Sequence, residues 1–282
     1  MPTMPQRCLA EFVGTFILVF LGCGAVHVAV LTGGLTGLWQ VAIVWGIAIM
    51  LAIYLVGGVS GAHINPAITL ALAFWRKFRW AHVVPYIVSQ LAGAFLAAMA
   101  LFLLFFGFLH QKEQELRVTR GHPDSKVTAM CYGEYFPNPG VKITAGRSDL
   151  ELVVSEPAAV AAELLGTLFL ALMVFALTDE RNSAAPQAKL APVFIGLTVT
   201  ALICVIAPLT QACFNPARDF GPRLFAYFAG WGPVALPGPQ PTGFLTVYIL
   251  APILGAILGG GVYLGLIRPA LPDQPARANQ AL

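Results

Sequence analysis

Two copies of the tripeptide Asn-Pro-Ala are the part of this sequence best suited to chemistry. They consist of Asn65, Pro66, Ala67, Asn215, Pro216 and Ala217. Asn is among the strongest N-cap residues and Pro is over-represented at the first helical position, so each copy predicts the start of a helix. An Asn amide has two N–H donors, so one N–H can serve the cap while the other binds a passing water or hydroxyl.

The backbone on either side of these helix starts also carries groups that could act on a solute. A helix N-terminus carries a partial positive charge of about half an elementary unit, so two that face one another would repel cations, hydronium included. The small residues just before each Asn cannot satisfy their carbonyl groups within a helix, and in a membrane those groups need partners. We expect the following carbonyls to line a lumen: Gly61, Ala62, His63, Ala212, Cys213 and Phe214.

Three charged residues in apolar surroundings are further candidates. Arg218 lies one turn into the second predicted half-helix, a position that is costly unless it lines water. Glu11 and Glu163 are carboxylates inside apolar segments, where the usual interpretation is a functional site. Because they occupy matching places in two similar stretches, we expect a structural task, the acceptance of hydrogen bonds from loop amides. A proton-carrying role is the alternative.

The composition indicates a protein that spans a membrane several times. Of its 282 residues 58% are hydrophobic and 10% charged, with mean hydropathy +0.78, whereas a soluble domain carries about 25% charged residues. The net charge of +3 and the lack of a basic run argue against a nucleic-acid partner. The five cysteines match no metal motif and the five histidines are dispersed, so we expect no metal, no cofactor and no enzyme activity.

Hydropathy predicts six spanning helices and two helices that are too short to span. The spans are expected at about 8–30, 38–58, 83–109, 157–178, 190–210 and 244–267. A span needs about 20 apolar residues, whereas the segments 65–75 and 215–228 have about half of that and are expected to be re-entrant. The predicted fold is therefore an all-α membrane protein with six transmembrane helices and two half-helices.

The two halves of the chain resemble one another. The matching stretches are CLAEFVGTF (8–16) with VAAELLGTL (160–168), GAHINPA (61–67) with QACFNPA (211–217), and SQLAGAFLA (89–97) with APILGAILG (251–259). Each half has three spans, so the second half enters from the opposite face and forms an inverted repeat. The two half-helices should then meet tip to tip at the membrane midplane.

This repeat defines one domain over residues 1–282. The first repeat covers about 8–109 and the second about 157–268. Between them lies an external loop of about 110–156, and residues 269–282 form a short tail.

Lys and Arg in short loops predict the orientation of the chain. With six spans, the basic residues that flank the spans and half-helices fall on one side: Arg7, Arg76, Lys77, Arg79, Arg181, Lys189, Arg268 and Arg277. This side is expected to be cytoplasmic. The prediction is a multi-pass protein of the cell (inner) membrane with both termini in the cytoplasm.

These motifs resemble the aquaporin, or major intrinsic protein, family over nearly the whole chain. The stretches GVSGAHINPAITLAL (58–72) and APLTQACFNPARDFGPRLFAYFAGWG (207–232) are especially similar to bacterial glycerol uptake facilitators. Asp219 after the pore Arg and Arg223 after Gly-Pro match that branch. The resemblance implies a passive channel for glycerol and other small neutral solutes, with some water permeability. It also implies a homotetramer in lipid, with one pore per subunit and no cofactor.

The family's narrowest point is a ring of four side chains. By position the ring here should be Trp45, Ile203, Ala212 and Arg218. Trp45 and Arg218 match glycerol facilitators, but those channels have Gly and Phe where this chain has Ile203 and Ala212. A ring of Trp, an aliphatic residue, Ala and Arg resembles the nodulin-26-like branch, so a channel mainly for water, urea or metalloid hydroxides is the alternative. We expect Trp45 to form an apolar wall and Arg218 to offer hydrogen-bond donors.

Two other classes of function are also open. An ion-coupled transporter would need a titratable group or an ion ligand on the pathway, and a structural membrane protein would have a blocked pore.

Four polar residues are expected to be buried and to have structural roles: Glu11, Glu163, Gln90 and Asp219.

Overall fold

Six long helices and two half-helices form the framework of the described part of the chain, and shorter helical turns connect them. The structure is a computed structural model that describes residues 1–140, 154–236 and 243–272. In chain order the helices are α1 (Met4–Thr32), α2 (Leu38–Ser60), α3 (Pro66–Phe74), α4 (Val83–Leu116), α5 (Glu156–Thr178), α6 (Ala191–Thr210), α7 (Pro216–Ala226) and α8 (Gly243–Ala270). All except α3 and α7 are long and apolar enough to cross a membrane.

The predicted fold class is confirmed, and the largest difference in helix bounds is at the end of α4. This helix continues to Leu116, whereas the sequence predicted its end near residue 109. Residues 110–116 read HQKEQEL and are rich in good helix formers, but hydropathy cannot count these polar residues as part of a span. Parts of the predicted external loop (141–153) and of the tail (273–282) lie outside the described residues.

Packing between the helices follows the symmetry of the repeat. In the first half α1 packs against α2 and α4, and in the second half α5 packs against α6 and α8. The half-helix of each repeat is held by the last span of the other, so α3 packs against α8 and α7 against α4. The second helices of the two repeats, α2 and α6, pack against each other. Each half therefore completes the pocket that holds the other half's short helix.

Glycine lets the first and last spans of each half come into backbone contact. A Cβ on Gly93 would lie 2.2 Å from the carbonyl oxygen of Phe12, and a Cβ on Gly255 would lie 2.2 Å from that of Leu164. Close backbone approach at small residues is a main source of helix association in membranes. The two crossings are equivalent in the repeat, so both halves use the same packing.

A third crossing lies between α2 and α6. A Cβ on Gly46 would lie 2.8 Å from the carbonyl oxygen of Gly196, and a Cβ on Gly196 would lie 2.4 Å from that of Gly46. The hydroxyl of Thr200 on α6 donates to the carbonyl of Ala42 on α2 at 3.2 Å. These contacts set the distance between α2 and α6, and so between the two halves of the chain.

We expect Gly93→Ala to destabilise the protein, because the new methyl group meets the backbone of α1. Overpacking of this kind costs on the order of 1–3 kcal/mol. Gly107 lies in the same helix with nothing near its missing Cβ, so Gly107→Ala is the matched control and should stabilise α4 by up to about 1 kcal/mol. Thermal unfolding of the two variants in detergent is the measurement. Equal melting temperatures would contradict this account of the crossing.

Candidate functional site at the meeting of the half-helices

Each half-helix begins with an Asn that caps its own first turn. The Asn65 Oδ1 accepts the backbone N–H of Ala67 at 2.8 Å. The Asn215 Oδ1 accepts the N–H groups of Ala217 and Arg218 at 3.0 and 3.3 Å. Both Asn residues are extended in backbone conformation, as expected of N-caps. The helix starts therefore lie where the sequence motif predicted them.

The two Asn side chains also tie the half-helices to each other. The Asn65 Nδ2 donates to the carbonyl of Phe214 at 2.8 Å, and the Asn215 Nδ2 donates to the carbonyl of Ile64 at 2.8 Å. Each amide has two N–H groups, and the described protein supplies an acceptor for one of them. The two N-termini thus meet tip to tip, and one N–H of each Asn is left for a solute.

The segments before the two Asn residues share an unusual backbone. In each segment the fourth, third and first residues before the Asn have positive φ, a conformation that costs a residue other than Gly about 1–3 kcal/mol. The residues are Gly61 (88°), Ala62 (49°), Ile64 (43°), Gln211 (64°), Ala212 (63°) and Phe214 (53°). Such strain persists only where surrounding contacts hold it in place.

In the first repeat Glu11 provides those contacts. Its Oε1 accepts the backbone N–H of His63 at 2.9 Å, and its Oε2 accepts the N–H of Ile64 at 2.7 Å. The Gln90 side chain donates to the same Oε2 at 2.8 Å. Glu11 is fully buried, so its carboxylate satisfies two amides that have no helical partner.

In the second repeat Glu163 makes the equivalent contacts. Its Oε1 accepts the N–H of Cys213 at 2.9 Å and the hydroxyl of Thr210 at 2.6 Å. Its Oε2 accepts the N–H of Phe214 at 2.9 Å. Glu163 is also fully buried. In both repeats the carboxylate therefore holds the amides on one side of the loop, which leaves the carbonyls of the loop to find other partners.

Most of the carbonyls that the sequence assigned to the lumen are free of protein partners. Within the described residues, no hydrogen bond is made to the backbone oxygens of Gly61, Ala62, His63, Ala212 and Cys213. The carbonyl of Phe214 differs, because Asn65 donates to it. Ile64 is its counterpart in the first repeat and was missed by sequence reasoning.

The four residues assigned to the ring lie around one small cavity. The cavity has a volume of about 40 Å³, and its lining includes Trp45, Ile203, Ala212, Arg218, Asn65 and Asn215. This volume is enough for water. The guanidinium carbon of Arg218 lies 4.1 Å from the ring centroid of Trp45. The apolar and polar walls expected to face each other across a solute are thus in contact here.

A carboxylate that sequence reasoning missed is paired with the Arg of this cavity. Glu134, from the segment after α4, forms an ion pair between its Oε1 and the Arg218 Nη1. Glu134 is 1% exposed, and its Oε2 is buried without a partner. Only tertiary folding brings the loop onto α7, so nothing in the local sequence around Glu134 indicates this contact.

A second ion pair anchors the same loop. The Arg223 Nε donates to Asp219 Oδ2 at 2.7 Å, and the other Asp219 oxygen accepts the backbone N–H of Glu134 at 2.9 Å. Arg223 also donates to the carbonyls of Glu134 and Ala235. With Arg218, the cluster holds two carboxylates and two guanidinium groups, and all four are buried.

This charge balance argues against a metal ion beside the cavity. Ligand atoms of Glu134, Asp219 and Cys213 lie within 4.8 Å of one another. Each carboxylate, however, already faces a guanidinium group, and a bound cation would have to compete with both. We therefore assign these groups to a structural ion-pair network.

Comparison with known proteins agrees with these features. The family model of the major intrinsic proteins matches residues 2–263. The glycerol uptake facilitator protein of Pseudomonas aeruginosa is 40% identical over 99% of this chain and 94% of its own length. That of Escherichia coli K12 is 39% identical, over 96% and 91%. The propanediol uptake facilitator PduF of Citrobacter freundii is 39% identical, over 99% and 98%.

A solved structure shows the same fold. The aquaglyceroporin from Plasmodium falciparum superposes with a TM-score of 0.79 at 25% identity, over 95% of this chain and 99% of that one. The paired half-helices, the six spans and these similarities together show that the chain belongs to the major intrinsic protein family, whose members are membrane channels and not enzymes.

Proposed function

We propose that this chain is a passive channel for glycerol and other small neutral solutes. The observation that carries the proposal is the joint between the half-helices. Both Asn residues line a cavity there, and each has one N–H to which the described residues supply no acceptor. The relatives that share this architecture include glycerol and propanediol uptake facilitators. A polyol has hydroxyl groups that accept from such donors and donate to the free loop carbonyls.

The electrostatics of the site favour neutral solutes. The two helix N-termini place partial positive charge at the joint, and Arg218 is the one charged residue among the described residues that line the cavity. This lining has neither a carboxylate nor a histidine, so it offers no ligand for a driving cation. A coupled transporter would need such a group, which makes a passive channel the better-supported function.

The ring determines which neutral solutes fit. We propose that a solute passes when the Arg218 guanidinium moves away from Trp45, since their present separation of 4.1 Å leaves no room for a polyol between them. Arg218 would then donate to hydroxyls while the indole covers the carbon side of the solute. Glu134 neutralises the guanidinium without occupying its remaining N–H groups, so anions gain little at this point.

The sizes of two ring residues support the passage of a second group of neutral solutes. Ala212 lines the cavity with a single methyl group, and Ile203 lines it with a larger aliphatic side chain. An open corner at Ala212 favours broad or planar neutral molecules, such as urea or undissociated metalloid hydroxides, in addition to glycerol.

The proposal also covers the orientation of the chain in the membrane and its oligomeric state. Arg76, Lys77, Arg79 and Lys189 lie in short loops at one end of the bundle, which supports a cytoplasmic location for that end and for both termini. We propose a homotetramer in the lipid bilayer, with one pore in each subunit, on the basis of the family resemblance.

We expect the protein in proteoliposomes to raise glycerol permeability without ionic current, because the facing helix N-termini oppose cations. Stopped-flow light scattering measures the glycerol flux, and planar-bilayer recording measures the current. Empty liposomes are the control. A conductance for sodium or protons that scales with protein content would favour a coupled transporter or an ion channel.

We expect Ala212→Phe to lower urea flux much more than glycerol flux, because it adds bulk to the ring without removing a hydrogen bond. A change of this size in a pocket is worth roughly tenfold or more in selectivity. The measurement is the ratio of urea to glycerol permeability. Ala201→Phe, on the exposed face of α6, is the matched control. An unchanged ratio in Ala212→Phe would show that residue 212 does not line the constriction.

We expect Glu134→Gln to leave a buried guanidinium uncompensated, at a cost of roughly 3–5 kcal/mol in stability. The surviving channels should become sensitive to chloride, because Arg218 would then retain anions at the ring. The measurements are thermal stability and glycerol flux at constant osmolarity with chloride or gluconate. Glu115→Gln is the control, since that residue is 52% exposed and its pairing with Lys112 is worth little. Flux and stability equal to those of this control would rule out the proposed charge balance.

A further inference from the structure

A second cavity lies at the end of the bundle where α1 begins and α4 begins. Its volume is about 580 Å³, within the range of ligand pockets and far larger than the cavity at the half-helix joint. Two parts of the chain line it. The first is the start of α1, with Arg7, and the second is the segment between α3 and α4, with Arg76, Lys77, Arg79 and His82. None of the described residues that line it is acidic.

The positive charge of this basic cavity is not neutralised by any residue that the structure describes. In the described parts of the chain, none of Arg7, Arg76, Lys77 and Arg79 forms an ion pair. The Nε of Arg7 is, in addition, buried without a hydrogen-bond acceptor. A buried donor without a partner costs about 1–3 kcal/mol, so an acceptor brought in from outside would relieve it.

Several other arginines of the chain have a carboxylate partner, which the arginines of the basic cavity lack among the described residues. Arg120, Arg218, Arg223 and Arg268 each pair with a carboxylate at close range. Cytoplasmic loops of membrane proteins are rich in Lys and Arg, and this preference explains why basic side chains are present at this end of the bundle. It does not explain why four of them line one cavity to which the described residues contribute no acidic side chain.

We propose that the basic cavity binds a phosphate group, either in the headgroup of an anionic phospholipid or in a small soluble phosphate ester. Guanidinium groups present parallel N–H donors that match phosphate oxygens, and several of them can bind one phosphate from different sides. Arg7 on α1 and Arg79 in the turn before α4 both line the cavity, and Lys77 adds a point charge.

The surroundings of the cavity make both sources of phosphate accessible. Trp80, next to Arg79, is 60% exposed, and Leu9 and Val84 on the flanking helices are exposed as well. Trp at such a position marks the interface between membrane and water, so the cavity lies at the depth of lipid headgroups and also opens to the aqueous side. Under the orientation proposed above, this side is the cytoplasm.

Two aromatic rings connect the cavity to the loop that precedes Asn65. Phe78 lines the cavity, and its ring centroid lies 4.5 Å from that of His63. The backbone N–H of His63 is one of the two amides held by Glu11. A bound phosphate that orders residues 76–79 therefore also steadies the loop that leads to Asn65.

The test uses the purified full-length protein and compares two double variants. Lys77→Gln with Arg79→Gln removes two exposed charges from the cavity, and Lys126→Gln with Lys189→Gln removes two exposed charges elsewhere. Glycerol flux in phosphatidylcholine liposomes checks that both fold. Binding is measured separately, so a failed binding test is distinguishable from a failed channel function.

One arm measures retention of phosphatidylglycerol against phosphatidylcholine by native mass spectrometry, and the other measures binding of inorganic phosphate by calorimetry in a neutral detergent. We expect the native protein to bind in at least one arm, and the cavity variant to bind about tenfold more weakly than the control variant. Binding in the lipid arm alone identifies a headgroup, and binding in the phosphate arm alone identifies a soluble ester. No binding in either arm, or an equal loss in both variants, would overturn the proposal.

Discussion

The structure depends on how the backbone is satisfied where it leaves the helical conformation inside the membrane. Two buried carboxylates, Glu11 and Glu163, accept the loop amides for which no helix supplies a partner. An amide left unpaired there would cost about 1–3 kcal/mol, and the strained left-handed residues beside it add to that cost. Because the carboxylates bind one side of each loop, the carbonyls turn to the other side, and a column of acceptors becomes available to a solute.

The same anchoring permits the half-helices to meet. Asn65 and Asn215 reach across the joint only because the preceding residues are held in place, and each then bonds to the loop of the other repeat. Positive potential from two helix starts accumulates at this point. The neighbouring cluster of Glu134, Arg218, Asp219 and Arg223 is charge-balanced, so the field at the joint comes from the helix termini and is not dominated by one side chain.

Features repeated in the sequence could be predicted, and features that depend on tertiary docking could not. The six spans, both half-helices and the positions of Glu11 and Glu163 follow from hydropathy and from matching segments. The polar end of α4 was missed because helix formers such as Gln and Glu carry no hydropathy signal. The pairing of Glu134 with Arg218 was also missed, because it forms only when the loop after α4 folds onto α7. The contact between Arg218 and Trp45 depends on side-chain rotamers, which a sequence motif does not specify.

The crossing of Gly46 and Gly196 has a consequence for substitution at either position. The two residues occupy matching positions in the repeats, and each contacts the backbone of the other. This is an isologous contact, of the kind that a two-fold homodimer makes with itself. A larger side chain at either position would meet the backbone of the partner helix. The two positions, far apart in the chain, are therefore a single steric unit, and neither can change without moving both halves.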